Sequence, residues 1–278
     1  MKKNYLITLD VDGTLIDNYY RTTSPTINSV ISQLRSEGNV FLINSNRALE
    51  DILPTANAFG IEGPIIGENG CFIYNQESGE TQVLIGDETS RDLENLNQQI
   101  PKIIKDNFPD SMFIIADTSD LNKNLDALDI PAGTNYIFMM NEFRKHTMSI
   151  HVKRIEGDKF IRDIDKAIEF SIAITKYIND NNLNLFSCHT ANYANVLVYP
   201  LETNKSKGFS ALAKNYPNFI KIFIGDDADD KPLSSEADYF FAVNNATNDA
   251  KEIADYVARE KVTKGTEEIL LKIDELVE

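Results

Sequence analysis

Apolar runs that break off at polar or acidic residues recur along this chain. Leu6-Ile7-Thr8-Leu9 has strand character and stops at Asp10 and Asp12, after which Gly13 and Thr14 supply a turn. Val40-Phe41-Leu42-Ile43 stops in the same way at Asn44-Ser45-Asn46-Arg47, and Lys221-Ile222-Phe223-Ile224 at Gly225-Asp226-Asp227-Ala228-Asp229-Asp230. Between the first two strands, Ile27, Val30, Ile31 and Leu34 fall at helical spacing over about 26–37, with Ser24-Pro25-Thr26 as the start signal and Gly38 as the stop. A second helix over 48–59 leads through Gly60 to Pro64-Ile65-Ile66-Gly67 and the tight polar turn Glu68-Asn69-Gly70. Strand, helix, strand, helix, strand predicts a parallel sheet.

The alternation changes between 81 and 199. A long helical pattern over 90–107 is followed by strands at 112–116, 135–140 and 147–153, a helix over 158–179, and two strands, 185–190 and 194–199, whose connecting Ala191-Asn192-Tyr193 suits a hairpin. Regular α/β order resumes at Asn204, with Lys207-Gly208 opening a helix through Ala213, strands at 221–224 and 239–243, the turn Asn244-Asn245-Ala246 and a helix from near Asn248. The last helix carries Ile269, Leu270, Ile273 and Leu276 on one face. The predicted fold class is therefore α/β, a Rossmann-like core with a parallel sheet over 1–80 and 200–278, plus an inserted α+β domain over 81–199.

Composition narrows the partners. With 278 residues, 42% of them hydrophobic, the chain has material for a large core. The 27 Lys and Arg against 43 Asp and Glu, a formal charge of -16, oppose binding to nucleic acid or an anionic membrane surface. Cys71 and Cys188 lie among apolar residues without ligand spacing, which predicts buried thiols in a reducing cytoplasm. Asp10 and Asp12 interrupt the first apolar run before a signal sequence can form, and no stretch is long enough to span a bilayer. The expectation is a soluble, cytoplasmic protein; the oligomeric state is left open.

In open parallel sheets ligands sit outside the carboxyl ends of the strands, so Asp10, Asp12, Ser45, Asp226 and Asp230 are expected on one rim. Four carboxylates there repel one another unless they are protonated or hold a divalent cation, and hard oxygen donors favour Mg2+. Taken alone, the 226–230 run reads better as a solvated acidic turn; its place directly after a buried strand, matching the Asp10 turn, reverses that preference.

Asp10-Val11-Asp12-Gly13-Thr14 resembles the DxDGT signature of the haloacid dehalogenase (HAD) superfamily of phosphohydrolases. Ser45-Asn46-Arg47 resembles its second motif, Lys207-Gly208 its third and the 225–230 run its GDxxND fourth, all in order along the whole chain. Glu68-Asn69-Gly70 and Asn245-Ala246 match turns of the Cof-type subgroup, in which a C2 cap, here of the C2B kind, is inserted between the second and third motifs. Two positions depart from the pattern. Asp229 stands where the family usually has Asn, and Asn46 replaces a common glycine.

The resemblance implies a Mg2+-dependent phosphatase acting on a small phosphorylated metabolite such as a sugar phosphate. Asp10 supplies a carboxylate nucleophile that forms an aspartyl-phosphate, and Asp12 protonates the leaving oxygen and then activates water. Asp10 and Asp226 hold the metal with the backbone carbonyl of Asp12, and Asp230 binds it or orients its waters. Ser45, Asn46, Gly13 and Thr14 surround the phosphoryl group, and Lys207 adds a positive charge, although the same lysine reads otherwise as a solvated helix-start residue, as does Lys205. In the inserted block, Thr147, Ser149, His151 and Lys153 share the polar face of a strand, and Arg144, Lys145, His146 and Arg154 add basic character. Arg144, His151 and Lys153 are the candidate substrate residues there, with a solvated sheet face the equal alternative. Two other readings use the same groups: a sugar phosphomutase, and a receiver-like phosphoacceptor module, which is far shorter and lacks the DxDGT run and the insertion.

Overall fold

The structure is a computed structural model that describes residues 3–17, 19–117, 129–190, 193–227 and 236–277. It divides into two compact units, one formed by Met1–Leu84 with Thr203–Glu278 and the other by Ile85–Glu202. In chain order the strands are β1 (Tyr5–Leu9), β2 (Val40–Asn44), β3 (Ile65–Gly67), β4 (Phe72–Tyr74) and β5 (Thr81–Val83) in the first unit. The second holds β6 (Ser111–Ala116), β7 (Tyr136–Asn141), β8 (Met148–Glu156), β9 (Lys159–Arg162), β10 (Leu185–Thr190) and β11 (Asn195–Pro200), and the first unit resumes with β12 (Ile220–Gly225), β13 (Tyr239–Ala242) and β14 (Tyr256–Val257).

The first unit is built on a sheet in the order β14-β13-β12-β1-β2-β3-β4-β5. Pairing is parallel from β14 to β3 and antiparallel through β4 and β5. Both faces are covered, which is why the central strands read as continuous apolar runs rather than alternating ones. Ile7, Leu9, Phe41, Ile43, Ile222 and Ile224 pack with the helices Ile27–Ser36, Leu49–Phe59 and Val262–Leu271. Leu6, Leu42, Phe223 and Phe240 pack on the other face with Phe209 and Leu212 of the helix Lys205–Ala213. Register brings the strand ends level: Leu9 lies between Ile224 of β12 and Ile43 of β2. The chain therefore turns polar on three adjacent strands at the same height, at Asp10, Ser45 and Asp226.

Thr26 occupies the N-cap position of the helix Ile27–Ser36, but its side chain does not cap. Its hydroxyl donates instead to Glu267 at 2.6 Å, and Ser24 donates to the same carboxylate at 2.8 Å, tying the helix start to the helix Val262–Leu271.

The second unit carries a sheet in the order β10-β11-β8-β7-β6, with β9 paired to β8. Its helices Asp87–Asn107 and Ile164–Asp180 cover one face through Leu96, Ile100, Phe138, Ile150, Phe170 and Ile174. Here the structure corrects the helix predicted from 158. Residues Lys159–Arg162 are a strand, because Gly157, at φ 60°, turns the chain back and lets Phe160 and Ile161 pair with Ile155 and Arg154. The helix starts only after Asp163, whose carboxylate accepts the N–H of Lys166. The hairpin connection expected at 191–193 falls partly outside the described residues. Among the described residues, no helix is long and apolar enough to cross a membrane.

Candidate active site

The rim of the first unit is organised around Asp10, which is 5% exposed. Its N–H donates to the carbonyl of Ile224 at 3.1 Å, seating the residue between two strand ends. Its carboxylate accepts a hydrogen bond from Lys205 Nζ at 2.7 Å, and both side chains are buried. Ser45, also buried, hydrogen-bonds through its N–H to Ile66 at 2.9 Å, and its hydroxyl oxygen accepts the Arg47 N–H at 3.3 Å.

Asp226 lies against the turn that follows β1. Gly13 adopts φ 77°, and a Cβ added there would stand 2.0 Å from Asp226 Oδ2, so only glycine lets the acid approach this closely. Around the same carboxylate are the Thr14 hydroxyl and the Asn245 side-chain amide, each at 3.4 Å. Asn245 also donates to the carbonyl of Gly13 at 2.8 Å and accepts the N–H of Val262 at 2.7 Å, so one side chain ties three loops together. The Asn245-Ala246 turn was visible in the sequence; its linking role required the fold.

The phase of the next helix decides which lysine reaches Asp10. Asn204 caps the helix Lys205–Ala213, its side chain accepting the N–H of Lys207 at 2.8 Å. Positions 205, 208, 209 and 212 then share the buried face, whereas position 207 lies roughly 200° around the helix from 205 and is exposed. Lys205, not Lys207, therefore meets Asp10. Gly208 serves this placement: its Cβ would come within 2.9 Å of Gly70 Cα, and a Cβ on Gly70 would come within 2.0 Å of the Asn204 carbonyl. The bare backbones bring the helix start onto the Glu68–Gly70 turn. That turn is itself tied to the β2 end, since the N–H groups of Glu68 and Asn69 donate to the carbonyls of Arg47 and Ser45.

Asp12 stands outside the buried set, its side chain 58% exposed. Arg47 grips it with both arms of the guanidinium, Nε at 2.7 Å and an Nη at 2.6 Å from the two carboxylate oxygens. The face of the Tyr20 ring lies 4.8 Å from the Arg47 guanidinium carbon. This clamp on Asp12 was missed from sequence, where Arg47 was only the last letter of a motif. Asn46 is half-buried beside it. Asp229 and Asp230 lie outside the described residues, and among those described no group of three or more His, Cys, Asp and Glu side chains is gathered as a metal cluster. Asp10 and Asp226 are oxygen donors on neighbouring strands, a donor chemistry that fits a hard divalent cation.

In the second unit, Lys153 is 5% exposed and His151 is half-buried. Burial, then Lys153, Arg144 and Arg162, lower His151 to about 3. Burial, then Arg162, lower Lys153 to about 8. Arg144 donates to the Thr147 hydroxyl at 2.9 Å, while its Nε is buried without a partner. Of the two thiols, Cys71 is buried and Cys188 only half-buried.

A family model for haloacid dehalogenase-like hydrolases matches residues 7–270. A search among curated proteins returns no match. Among solved structures, a haloacid dehalogenase-like hydrolase from Bacteroides thetaiotaomicron superimposes with a TM-score of 0.70 at 20% identity, covering 98% of this chain and 100% of that one. A Plasmodium vivax protein described as a HAD/COF-like hydrolase gives 0.66 at 21%, covering 99% and 96%. A HAD-superfamily phosphatase from B. thetaiotaomicron gives 0.63 at 17%, covering 99% and 96%.

Proposed function

The chain belongs to the haloacid dehalogenase-like hydrolases, and from that membership we propose that it is a Mg2+-dependent phosphatase that hydrolyses a small phosphomonoester through an aspartyl-phosphate on Asp10. The observation that carries this reading is the buried pair of Asp10 and Lys205 at 2.7 Å, with Ser45 and Asp226 at the ends of the neighbouring strands.

Phosphoryl transfer asks the protein chiefly for positioning and charge stabilisation. One oxygen of Asp10 attacks phosphorus in line and forms the acyl-phosphate bond as the ester oxygen leaves. Lys205 fixes the attacking carboxylate and presents its positive charge to the phosphoryl oxygens. The Ser45 hydroxyl donates to the same group, and the Gly13-Thr14 turn leaves space for it. Asp12 delivers the proton to the leaving oxygen and, as a carboxylate, takes one from the water that hydrolyses the intermediate; for either step it must leave the Arg47 fork. Asp10, Asp226 and the backbone carbonyl of Asp12 would hold Mg2+, with Asp230 as a further ligand. When bound, the ion supplies positive charge that offsets the repulsion between Asp10 and the incoming phosphate. Residues 85–202, the inserted unit, serve in this reading as the substrate-selecting cap.

The test is hydrolysis of p-nitrophenyl phosphate with Mg2+ and with EDTA. Wild type should release phosphate only with the metal, and Asp10→Asn should abolish release while its circular dichroism stays native. Wild-type turnover by Asp10→Asn would remove Asp10 as nucleophile.

A further inference from the structure

Two buried polar side chains interrupt an apolar layer of the first unit. Leu6, Leu42, Phe223 and Phe240 lie on one face of its sheet, packed with Phe209 and Leu212 of the helix Lys205–Ala213. Thr8 stands in register between Leu42 and Phe223, so its side chain joins them on that face. Asn44 is two residues beyond Leu42 on β2 and shares the face; it follows Ile43 just as Asp10 follows Leu9, the partner of Ile43. Thr8 and Asn44 are both fully buried. The Asn44 side-chain amide donates to the carbonyl of Lys205 at 3.0 Å, which fixes the nitrogen end of that amide, because a carbonyl only accepts. Among the described residues, Asn44 Oδ1 and the Thr8 hydroxyl are then left buried with no hydrogen-bond partner.

A hydroxyl and a carbonyl oxygen without partners both oppose folding in an apolar layer. Thr8 and Asn44 are diagonal neighbours on adjacent strands, and strand spacing and rise put them about 8 Å apart at Cα, a gap that two hydrogen bonds through one water span. A water donates to Asn44 Oδ1 and makes a further bond with the Thr8 hydroxyl, which both donates and accepts. A neutral molecule fits better than a cation, because Asp10 beside them already holds the Lys205 ammonium at 2.7 Å. We propose that Thr8 and Asn44 hold a buried water beneath the Asp10–Lys205 pair, and that both act as positioning residues for Lys205. Asn44 ties the start of the lysine's helix to β2, and the water braces that amide through Oδ1. The water site stands by itself; its consequence for catalysis rests on the phosphatase reading.

The test uses the full chain. A high-resolution crystal structure should show a water within hydrogen-bonding distance of Thr8 Oγ1 and Asn44 Oδ1, and the isosteric variant Thr8→Val should lose it. The two side chains bonded to each other or to other protein atoms, or no water between them, overturns the site. Thermal unfolding decides the same point without crystals. Thr8→Val takes one partner from a bound water and should lower Tm by about 2–4 °C, whereas a hydroxyl in a dry apolar layer makes valine the more stable residue; an unchanged or raised Tm therefore overturns the proposal. Asn44→Ala should lower Tm too, and the double variant should lose less than the two single losses together, because both side chains act on one water; strict additivity overturns the link between them. For positioning, kcat for p-nitrophenyl phosphate should fall about tenfold in Asn44→Ala and about threefold in Thr8→Val, with KM within about twofold of wild type. Thr8→Ser, which keeps the hydroxyl, should restore kcat. An unchanged kcat in Thr8→Val with the water gone overturns the positioning role, and an equal loss in Thr8→Ser assigns the effect to packing and overturns it as well. Absence of hydrolysis in wild type counts against the phosphatase reading alone, and the unfolding data still decide the water.

Discussion

Replacing Lys205 by Met should cripple the enzyme and cost it far more than replacing Lys207 by Met. The two residues stand two positions apart in one helix, but Lys205 Nζ lies 2.7 Å from Asp10 with both side chains buried, and Lys207 is exposed. At an effective dielectric of about 20, unit charges at that separation attract by roughly 6 kcal/mol. Part of this offsets the desolvation of both groups, so removing one partner should cost about 3–5 kcal/mol of stability. Catalysis loses a positive charge aimed at the transferring group, an effect of about 100- to 1000-fold on kcat. Lys207→Met, on the exposed side of that helix, should lose less of both than Lys205→Met. Urea unfolding and steady-state hydrolysis of p-nitrophenyl phosphate measure the two effects. A loss of about 100-fold in Lys207→Met, with Lys205→Met close to wild type, would refute the assignment.

Arg47→Lys keeps the charge but loses the fork on Asp12, so alkyl phosphates, which need a proton on the leaving oxygen, should slow more than aryl phosphates; an equal loss on both would contradict the role given to Arg47. Gly13→Ala forces alanine to φ 77° and a Cβ into Asp226, so unfolding should show a loss of about 1–3 kcal/mol together with lost turnover, while native stability in this variant would show that the turn relaxes. Lys153 is lowered by burial and Arg162 from 10.5 to about 8, so in the folded state it gives up its proton earlier than in the unfolded chain. Wild type should therefore be less stable than Lys153→Met at pH 7 and recover relative to it as pH rises from 8 to 10.5; a difference that stays flat over that range in denaturation curves would count against a strained ammonium.

Much of the core was legible because its strands are buried on both faces and end abruptly. The runs at Leu9, Ile43 and Ile224 announce their polar ends without any tertiary information, and the parallel order follows from the helices between them. The inserted unit was less legible. Residues 159–162 lie between a Gly turn and a helix cap, and a strand of four residues with Phe160 and Ile161 side by side carries too little period to separate from the following helix. Arg47 was invisible as a clamp because its partner, Asp12, is 35 positions away in sequence, and no local pattern encodes that contact.

The stretch from Leu6 to Leu15 shows the division. By itself the sequence determined a strand, two acids at its end and a glycine turn, since apolar periodicity and the φ demands of a turn are local properties. Only the tertiary structure decided what surrounds those acids. Asp10 received Lys205, because the helix phase set by the Asn204 cap and the close approach of Gly208 to Gly70 turn that lysine inward and its neighbour outward. Asp12 received Arg47, because β1 and β2 are adjacent and level. Partners are chosen by helix phase and strand register, and both are settled by packing between segments far apart in the chain.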